Sequence, residues 1–278
     1  MVRIKGLFKH VILLDKPKGL SSRQACEEVK RRVGAKKAGD TGTLDDNTTG
    51  LLIVCLDEAT KAMPLLNGLD KEYVTEIILH QQVEAEKVKG ALNYFTGNVK
   101  QLPPIRSAVA RKERVREVYS IEIIKMNGRN LELKIKCQAG FYVRKFAHDL
   151  GKYLGCGAQM VALRRIGIGP ITDSECVKMA DVESGKALKI EEIVRRVGAK
   201  KVFVLENALN NARNGIGLMS YHLDGMDKDV QEGDAVALFY KKDLVAIGKA
   251  VKGADHYFAH RRWKKAYQYI LPDRVFKF

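Results

Sequence analysis

The chain has few of the residue patterns that mark secreted, zinc-binding or membrane proteins. Its five cysteines are scattered over 278 residues without a C-x-x-C pair, so neither a zinc site nor a disulfide framework is predicted. No apolar run reaches the roughly 18 residues of a membrane-spanning helix, and no signal-peptide core follows the first residues. We therefore expect a cytoplasmic protein in a reducing environment, with no metal and no membrane partner.

Acidic residues are also scarce relative to basic ones. Lys and Arg total 49 against 33 Asp and Glu, which gives a net charge of +16 and a pI of about 9.6. An excess of this size favours a polyanionic partner, nucleic acid first. A basic protein without such a partner is the alternative at this point. The hydrophobic share of 46% can fill the core of one large or two ordinary domains.

One polar stretch stands out between apolar segments. Residues 39–50 contain three glycines, four threonines and, at the centre, Asp45. These turn formers exclude a regular helix or strand, and the apolar run Leu51–Leu56 follows at once. A polar loop held against a buried strand is a common place for a catalytic group. A turn that Asp45 merely caps is the alternative that composition leaves open.

The surrounding pattern predicts a mixture of helices and strands. Ser21-x-x-Gln24 is a capping box that begins a helix ending at Gly34. Lys71–Leu79 is rich in β-branched and aromatic residues and predicts a strand. Leu131–Cys137 alternates apolar and polar residues and predicts a half-buried strand. From residue 200 onward the pattern becomes strand-rich with short periods, which indicates a second, smaller β region.

Four further motifs accompany the Asp45 loop in a definite order along the chain. They are a Lys-Pro-x-Gly turn, a strand tyrosine, a Gly-x-Tyr-Val-Arg helix start and a segment ending in Leu-Arg-Arg: Lys16–Gly19, Tyr73, Gly140–Arg144 and Gly157–Arg165. Together these stretches resemble the motifs of the TruB/dyskerin family of pseudouridine synthases. The resemblance runs from Val11 to about Pro170, and the order of the motifs is more specific than any one of them.

The resemblance implies a role for each matching residue. Asp45 would be the catalytic nucleophile, and Arg144 would pair with it. Tyr73 would stack on the target base and is the candidate base for a proton at C5. Tyr142 would lie against the site, and Leu163 would pack under the target base. We expect Asp45 to be enclosed, so that burial raises its pKa and the charge of Arg144 opposes the rise. Loss of Arg144 would then leave a buried carboxylate unpaired, at a cost of roughly 3–5 kcal/mol.

A second informative stretch lies at Pro103–Val109, where Pro-Pro requires an extended segment. It resembles a segment of the archaeal and eukaryotic H/ACA branch of the family, whereas bacterial TruB differs here. We also expect RNA contacts from five basic residues: Lys16, Arg106, Arg164, Arg262 and Lys264. For the last two, a solvated edge is the alternative.

The resemblance implies an α+β fold with two folded regions. Residues 1–185 would form the catalytic domain around a central antiparallel sheet, and 186–198 would be a linker. Residues 199–278 would form a small β-barrel, because Gly233–Ala250 resembles the end of a PUA domain, an RNA-binding module. The proline of the usual PUA signature is missing after Gly215–Leu218.

The implied function is isomerisation of uridine to pseudouridine in RNA, in rRNA and possibly tRNA, guided by H/ACA RNA. The reaction has no redox change and needs no energy source, so no cofactor is expected. The implied partners are guide RNA, target RNA and three small proteins: a zinc-ribbon protein, a small β-barrel protein and a kink-turn-binding protein. In a eukaryote the location would be nucleolar.

Two alternatives stay open. One is a stand-alone synthase acting on the T loop of tRNA, against which the Pro103–Val109 segment argues. The other is a catalytically silent RNA-binding scaffold. Asp40 and Asp46 favour it, because the family often has His and Pro at these positions, and extra acids pointing inward would raise the pKa of Asp45.

Overall fold

The computed structural model describes residues 9–102, 112–260 and 266–276. Three of the predicted RNA contacts, Arg106, Arg262 and Lys264, lie outside the described residues, as does the Pro103–Val109 segment. Within the described ranges, no helix combines the length and apolar character needed to span a bilayer.

In the described part of the chain, the first region contains eleven strands in one large sheet. They are β1 (His10–Lys16), β2 (Ala38–Asp40), β3 (Thr49–Leu56), β4 (Lys71–Leu79), β5 (Gly97–Gln101), β6 (Arg114–Asn127), β7 (Asn130–Cys137), β8 (Ala158–Ile168), β9 (Ile171–Thr172), β10 (Val177–Lys178) and β11 (Leu188–Lys189). Its helices are α1 (Ser22–Val33), α2 (Met63–Asn67), α3 (Ala85–Tyr94), α4 (Val143–Tyr153) and α5 (Ile190–Arg196).

The strands are ordered β10-β1-β3-β8-β4-β7-β6-β5, with β2, β9 and β11 as side pairs. Most pairs are antiparallel, but β3 runs parallel to β8 and β1 parallel to β10. Helices α3 and α4 cover one stretch of the sheet, and α1 covers another. The α+β fold with a central, mainly antiparallel sheet is therefore confirmed.

Local sequence signals explain why these elements form. The capping box is present at the start of α1, where Ser21 and Gln24 exchange side-chain and backbone hydrogen bonds of 2.9 and 3.2 Å. In β7 the residues Leu131, Leu133 and Ile135 are buried, and their polar neighbours face outward.

The second region is a barrel-like sheet that contains six strands among the described residues. They are β12 (Lys201–Val204), β13 (Leu218–Met219), β14 (Leu223–Met226), β15 (Ala235–Tyr240), β16 (Asp243–Ala250) and β17 (Gln268–Val275), in the order β13-β17-β16-β15-β12-β14. Helices α6 (Leu209–Arg213) and α7 (Ala254–His260) accompany them. The predicted small C-terminal barrel is thus confirmed as a fold.

The segment 186–198, which is expected to link the two regions, is folded, and its apolar side chains are buried. It contains β11 and α5, and Ile190, Ile193 and Val194 of α5 are fully buried. Arg195 donates a hydrogen bond of 2.8 Å to the carbonyl of Lys242 in the barrel region. The sequence pattern showed a polar Ser-Gly-Lys stretch here but not the surfaces that bury the apolar side of α5.

The large sheet and the barrel share one hydrophobic core. Val11 and Ile53 of the sheet belong to the same buried cluster as Phe239 and Ile247 of the barrel. Lys61 also donates a hydrogen bond of 2.6 Å to the carbonyl of Val275. The two regions therefore pack as one unit around α5.

Candidate active site

The Asp45 loop connects β2 to β3 and is fixed by its neighbour Leu44. The Leu44 side chain is buried against α1. Its backbone N–H donates a hydrogen bond of 2.7 Å to the hydroxyl of Ser22, which in turn donates one of 3.2 Å to the Leu44 carbonyl. Behind Asp45, the N–H of Thr48 donates to the Asp45 carbonyl over 2.9 Å. The backbone on both sides of the carboxylate is therefore held in place.

Lys16 holds the same loop from below. Its side chain is fully buried, and its Nζ donates to the carbonyls of Leu20, Pro17 and Asp46 at 2.5, 3.0 and 3.4 Å. Burial lowers the pKa of the ammonium group, and the nearby Asp46 carboxylate opposes the change. The prediction that Lys16 contacts RNA receives no support from this geometry, because its ammonium group is buried and already has carbonyl partners.

Asp45 and Arg144 form an ion pair in which Arg144 Nη2 donates to Asp45 Oδ2. Both side chains are exposed, 60% for Asp45 and 58% for Arg144. The expectation of an enclosed pair is therefore corrected. Because water screens an exposed pair, we expect it to stabilise the fold by only about 0–1 kcal/mol. The pairing instead holds the carboxylate at a surface that a substrate can approach.

The position of Arg144 is set by the start of helix α4. Tyr142 is the residue that caps this helix, and its backbone makes two hydrogen bonds with the buried side chain of Gln101. The Tyr142 N–H donates to Gln101 Oε1 over 2.9 Å, and Gln101 Nε2 donates to the Tyr142 carbonyl over 3.1 Å. Gln101, which the sequence did not single out, thereby ties the end of β5 to the helix that presents Arg144.

Tyr73 and Leu163 supply the apolar part of the site. Both are half-buried and pack against the core beneath α3 and α4. Burial raises the pKa of the Tyr73 phenol, and the charge of Arg165 opposes the rise. Asp45 is close enough to Tyr73 to raise that pKa further. The Asp45 carboxylate and the Tyr73 phenol therefore interact electrostatically.

Arg165 is a buried cation of this region that sequence reasoning did not single out. Its side chain is only 1% exposed, and its Nε donates a hydrogen bond of 2.8 Å to the carbonyl of Leu51. A signal was present, because Leu163 is predicted to face the site and side chains two residues apart on a strand face the same way. That alternation points Arg165 inward.

Arg164, its neighbour, has a different environment. Its guanidinium pairs with Asp15 over 2.9 Å and with Asp173 over 2.8 Å. These two carboxylates of the chain occupy the group that was predicted to contact RNA. The structure therefore accounts for Arg164 as a bridge between β1, β8 and the segment after β9.

The two acids that depart from the family pattern lie in different environments. Asp40 on β2 is half-buried, which raises the pKa of its carboxyl, while the charge of Arg165 opposes the rise. Asp46 is exposed, and its backbone carbonyl accepts the hydrogen bond from Lys16 and another of 2.8 Å from the Gly19 N–H. Asp46 thus serves the loop through its backbone.

Lys71 completes the positive charge under the loop. It is buried and donates to the carbonyls of Asn67 and Leu69 at 2.9 and 2.6 Å, and burial lowers the pKa of its ammonium group to about 8. Among the described residues, no group of three or more His, Cys, Asp or Glu is arranged to hold a metal ion. The site combines an approachable carboxylate, a paired arginine, a phenol and an apolar surface.

Comparison with known proteins identifies the class. Residues 30–143 match the TruB family pseudouridylate synthase N-terminal domain, and residues 144–207 match the tRNA pseudouridylate synthase B C-terminal domain. The chain is 39% identical over 262 residues to the "Probable tRNA pseudouridine synthase B" of Korarchaeum cryptofilum, covering 88% of this chain and 80% of that protein. The protein of the same name from Methanothermobacter thermautotrophicus is 36% identical over 258 residues, with the same coverage of 88% and 80%.

Solved structures give the same class. A chain of a Cbf5-Nop10-Gar1 complex matches with a TM-score of 0.88 and 30% identity, over 98% of this chain and 86% of that one. A chain from an H/ACA RNP bound to a substrate RNA containing 2′-deoxyuridine matches with a TM-score of 0.85 and 29% identity, over 98% and 86%. Fold and relatives define an RNA isomerase, a pseudouridine synthase. The chain belongs to the TruB family of pseudouridine synthases.

Proposed function

We propose that this chain isomerises a uridine selected by an H/ACA guide RNA, with Asp45 as the catalytic carboxylate. The observation that carries the proposal is the ion pair of the exposed Asp45 with Arg144, whose carboxylate also interacts electrostatically with the phenol of Tyr73. The similarity over 98% of the length to chains of a Cbf5-Nop10-Gar1 complex and of an H/ACA RNP bound to a substrate RNA supports the guided reaction. Resemblance of the Pro103–Val109 segment to the H/ACA branch supports it as well.

The reaction breaks the N1–C1′ bond, turns the uracil and forms the C5–C1′ bond. N1 gains a proton and C5 loses one, so the atoms balance without a cofactor. Asp45 either attacks the substrate covalently or takes the C2′ proton to give a glycal. The target base must leave its stack in the RNA, and Tyr73 and Leu163 replace the lost contacts. Tyr73 is the candidate for the C5 proton.

The partners follow from the same proposal. Guide RNA supplies the sequence choice, and the barrel, as a PUA-like module, holds the guide with affinity that falls with salt. The small proteins are a zinc-ribbon protein, a small β-barrel protein and a kink-turn-binding protein. The similar chain from a Cbf5-Nop10-Gar1 complex supports the proposal of protein partners. All five cysteines are free, which supports the cytoplasm as the compartment.

A second function has its own support. The relatives that match over 88% of this chain are named tRNA pseudouridine synthase B. A guide-independent reaction on the T loop of tRNA is therefore the competing candidate. The third candidate is a catalytically silent RNA-binding scaffold. The half-buried acid Asp40 is the observation that favours it.

One experiment separates the three functions. The full chain is incubated with a guide–target RNA pair, with the target alone and with an unmodified tRNA transcript, and pseudouridine is read by carbodiimide primer extension. A second series repeats the incubations with the partner proteins added. If the reaction is guided, the target is modified only when the guide RNA is present. Guide-independent tRNA modification would replace the guided proposal, and inactivity on every RNA in both series would favour the scaffold.

A further inference from the structure

Arg165 lies where three strands of the large sheet meet. It is on β8, opposite Gly50 of β3 on one side and Tyr73 of β4 on the other. Its position joins the strand that follows the Asp45 loop to the strand that carries the phenol. The position of Arg165 therefore affects the positions of both strands.

Two glycines bring the Asp45 loop onto Arg165. Gly50 has a φ of +99°, and a Cβ there would overlap the Arg165 carbonyl oxygen and come within 2.9 Å of its backbone nitrogen. Gly42 has a φ of +96°, and a Cβ there would lie 3.5 Å from Nη1 of the Arg165 guanidinium. The loop that carries Asp45 thus begins over the side chain of Arg165 and ends against its backbone.

Arg165 and Tyr73 are directly opposite each other on β8 and β4, so their side chains are neighbours on one face of the sheet. Arginine has only donors, so a hydrogen bond between the two side chains has the phenol oxygen as its acceptor. The phenol proton is then free to point away from Arg165. Within the described residues, Arg165 Nη2 is buried and has no hydrogen-bond partner, although Nε donates to Leu51. A charge this deeply buried with one donor group unpaired indicates a role beyond packing.

We propose that Arg165 is a positioning residue for the isomerisation: it orients the phenol of Tyr73 and fixes the Asp45 loop in register with it. The proposal rests on the roles proposed above for Asp45 and Tyr73. In this arrangement the phenol oxygen faces Arg165 and the phenol directs its own proton at the substrate, where a proton must be exchanged at C5. Arg165 itself is buried, with 1% exposure.

The guanidinium also sets how readily the phenol gives up its proton. Arg165 favours the phenolate, while burial, Cys137 of β7 and Asp45 oppose ionisation. Asp40 and Lys71 are the other ionisable groups that interact with Arg165. Removal of the guanidinium should therefore raise the pKa of Tyr73 further, because the cation that favours the charged form is lost.

The test compares Arg165→Lys and Arg165→Met with wild type in the full chain. We expect the Met variant to lose about 100-fold in kcat, with KM for RNA within about threefold, because misplaced reacting groups slow chemistry more than binding. The Lys variant keeps the charge but has no fork of donors, so we expect partial recovery. Arg196→Met, which removes a partly buried arginine paired with Glu175, is the matched control and should keep wild-type turnover.

A second measurement needs no RNA. The chain is labelled with 3-fluorotyrosine, the Tyr73 signal is assigned with Tyr73→Phe, and its titration is followed by ¹⁹F NMR. We expect the pKa of Tyr73 to be higher in Arg165→Met than in wild type and intermediate in Arg165→Lys. A merely structural role would leave this pKa unchanged in variants that fold.

A double variant checks the route of action. If Arg165 orients the phenol, Arg165→Lys should reduce kcat less in the Tyr73→Phe background than in wild type, and the loss that remains is the part due to the Asp45 loop. A folded Arg165→Met with kcat within fivefold of wild type, or an unchanged Tyr73 titration, would overturn the proposal, and so would failure of both variants to fold. If wild type modifies no RNA, the proposed function fails, whereas the titration still reports on Arg165 and Tyr73.

Discussion

The rim and the floor of the site hold their charges in opposite ways. The rim is the ion pair of Asp45 and Arg144, and both of its side chains are more than half exposed. The floor is the set of buried cations beneath the loop, Lys16, Lys71 and Arg165. The exposed ion pair is placed to meet RNA and is expected to contribute little to stability. The buried cations that hold the loop in place are part of the folded core. Predictions that sharpen this contrast can be ordered by the expected loss in free energy of unfolding.

Gly50→Ala should have the largest effect, because the new Cβ would overlap the backbone of Arg165. We expect a loss of about 2–5 kcal/mol from left-handed backbone strain and overpacking together. Chemical denaturation followed by circular dichroism measures it. Gly233→Ala is the matched control, since Gly233 has a φ of +92° but open space around it, so only the strain of about 1–2 kcal/mol should remain. Equal losses in the two variants would remove the steric argument.

Lys16→Met should follow, with a loss of about 1–3 kcal/mol, because the loop carbonyls lose their buried donor. Turnover should fall with it, since the Asp46 carbonyl is one of those acceptors. The slope of RNA affinity against salt should not change, whereas loss of a phosphate contact would lower it by about one unit. Lys18→Met, an exposed neighbour, is the control for charge. A smaller salt slope for Lys16→Met alone would restore the direct RNA contact.

Arg144→Ala should change stability by less than about 1 kcal/mol, because its pair with Asp45 is exposed. Turnover should nevertheless fall by at least about 100-fold, since the carboxylate loses the group that orients it. Thermal unfolding and single-turnover assays on the same sample test both statements. A steep fall in RNA affinity with unchanged chemistry would make Arg144 a phosphate contact instead.

Asp45→Asn should have the smallest effect on stability, with no measurable loss. The amide can still accept a hydrogen bond from Arg144, but it cannot serve as the carboxylate, so pseudouridine formation should be abolished. RNA affinity should stay within about threefold of wild type, because one exposed polar contact contributes under about 1 kcal/mol. Turnover retained by the purified variant would refute the assignment of Asp45 as nucleophile.

The rim was accessible to sequence reasoning, whereas the floor was not. Asp45 stands out because glycine and threonine around it can only form a loop, and the resemblance then adds Arg144 and Tyr73. Lys16 and Arg165 look like surface cations in a basic chain. Their burial depends on partners far along the sequence: the Asp46 carbonyl for Lys16 and the Leu51 carbonyl for Arg165. Strand alternation with Leu163 indicates that Arg165 points inward, but local pattern contains no information about these distant partners.

The fold shows the same division. The capping box of α1 and the alternation of β7 are local signals, and the elements they predict are present. The apolar residues of α5 were equally visible, but the surfaces they pack against belong to β1 and to the barrel. A stretch that reads as a linker can therefore be the centre of a shared core.

That shared core has a consequence for how the chain can evolve and be engineered. Because Phe239 of the barrel and Ile53 of the large sheet belong to one buried cluster, neither region is an interchangeable part. A gene fusion that replaced the barrel with another RNA-binding module would leave an apolar surface on the sheet facing water. A substitution in this core on the barrel side therefore requires a compensating substitution on the side of the large sheet, so the two regions evolve together.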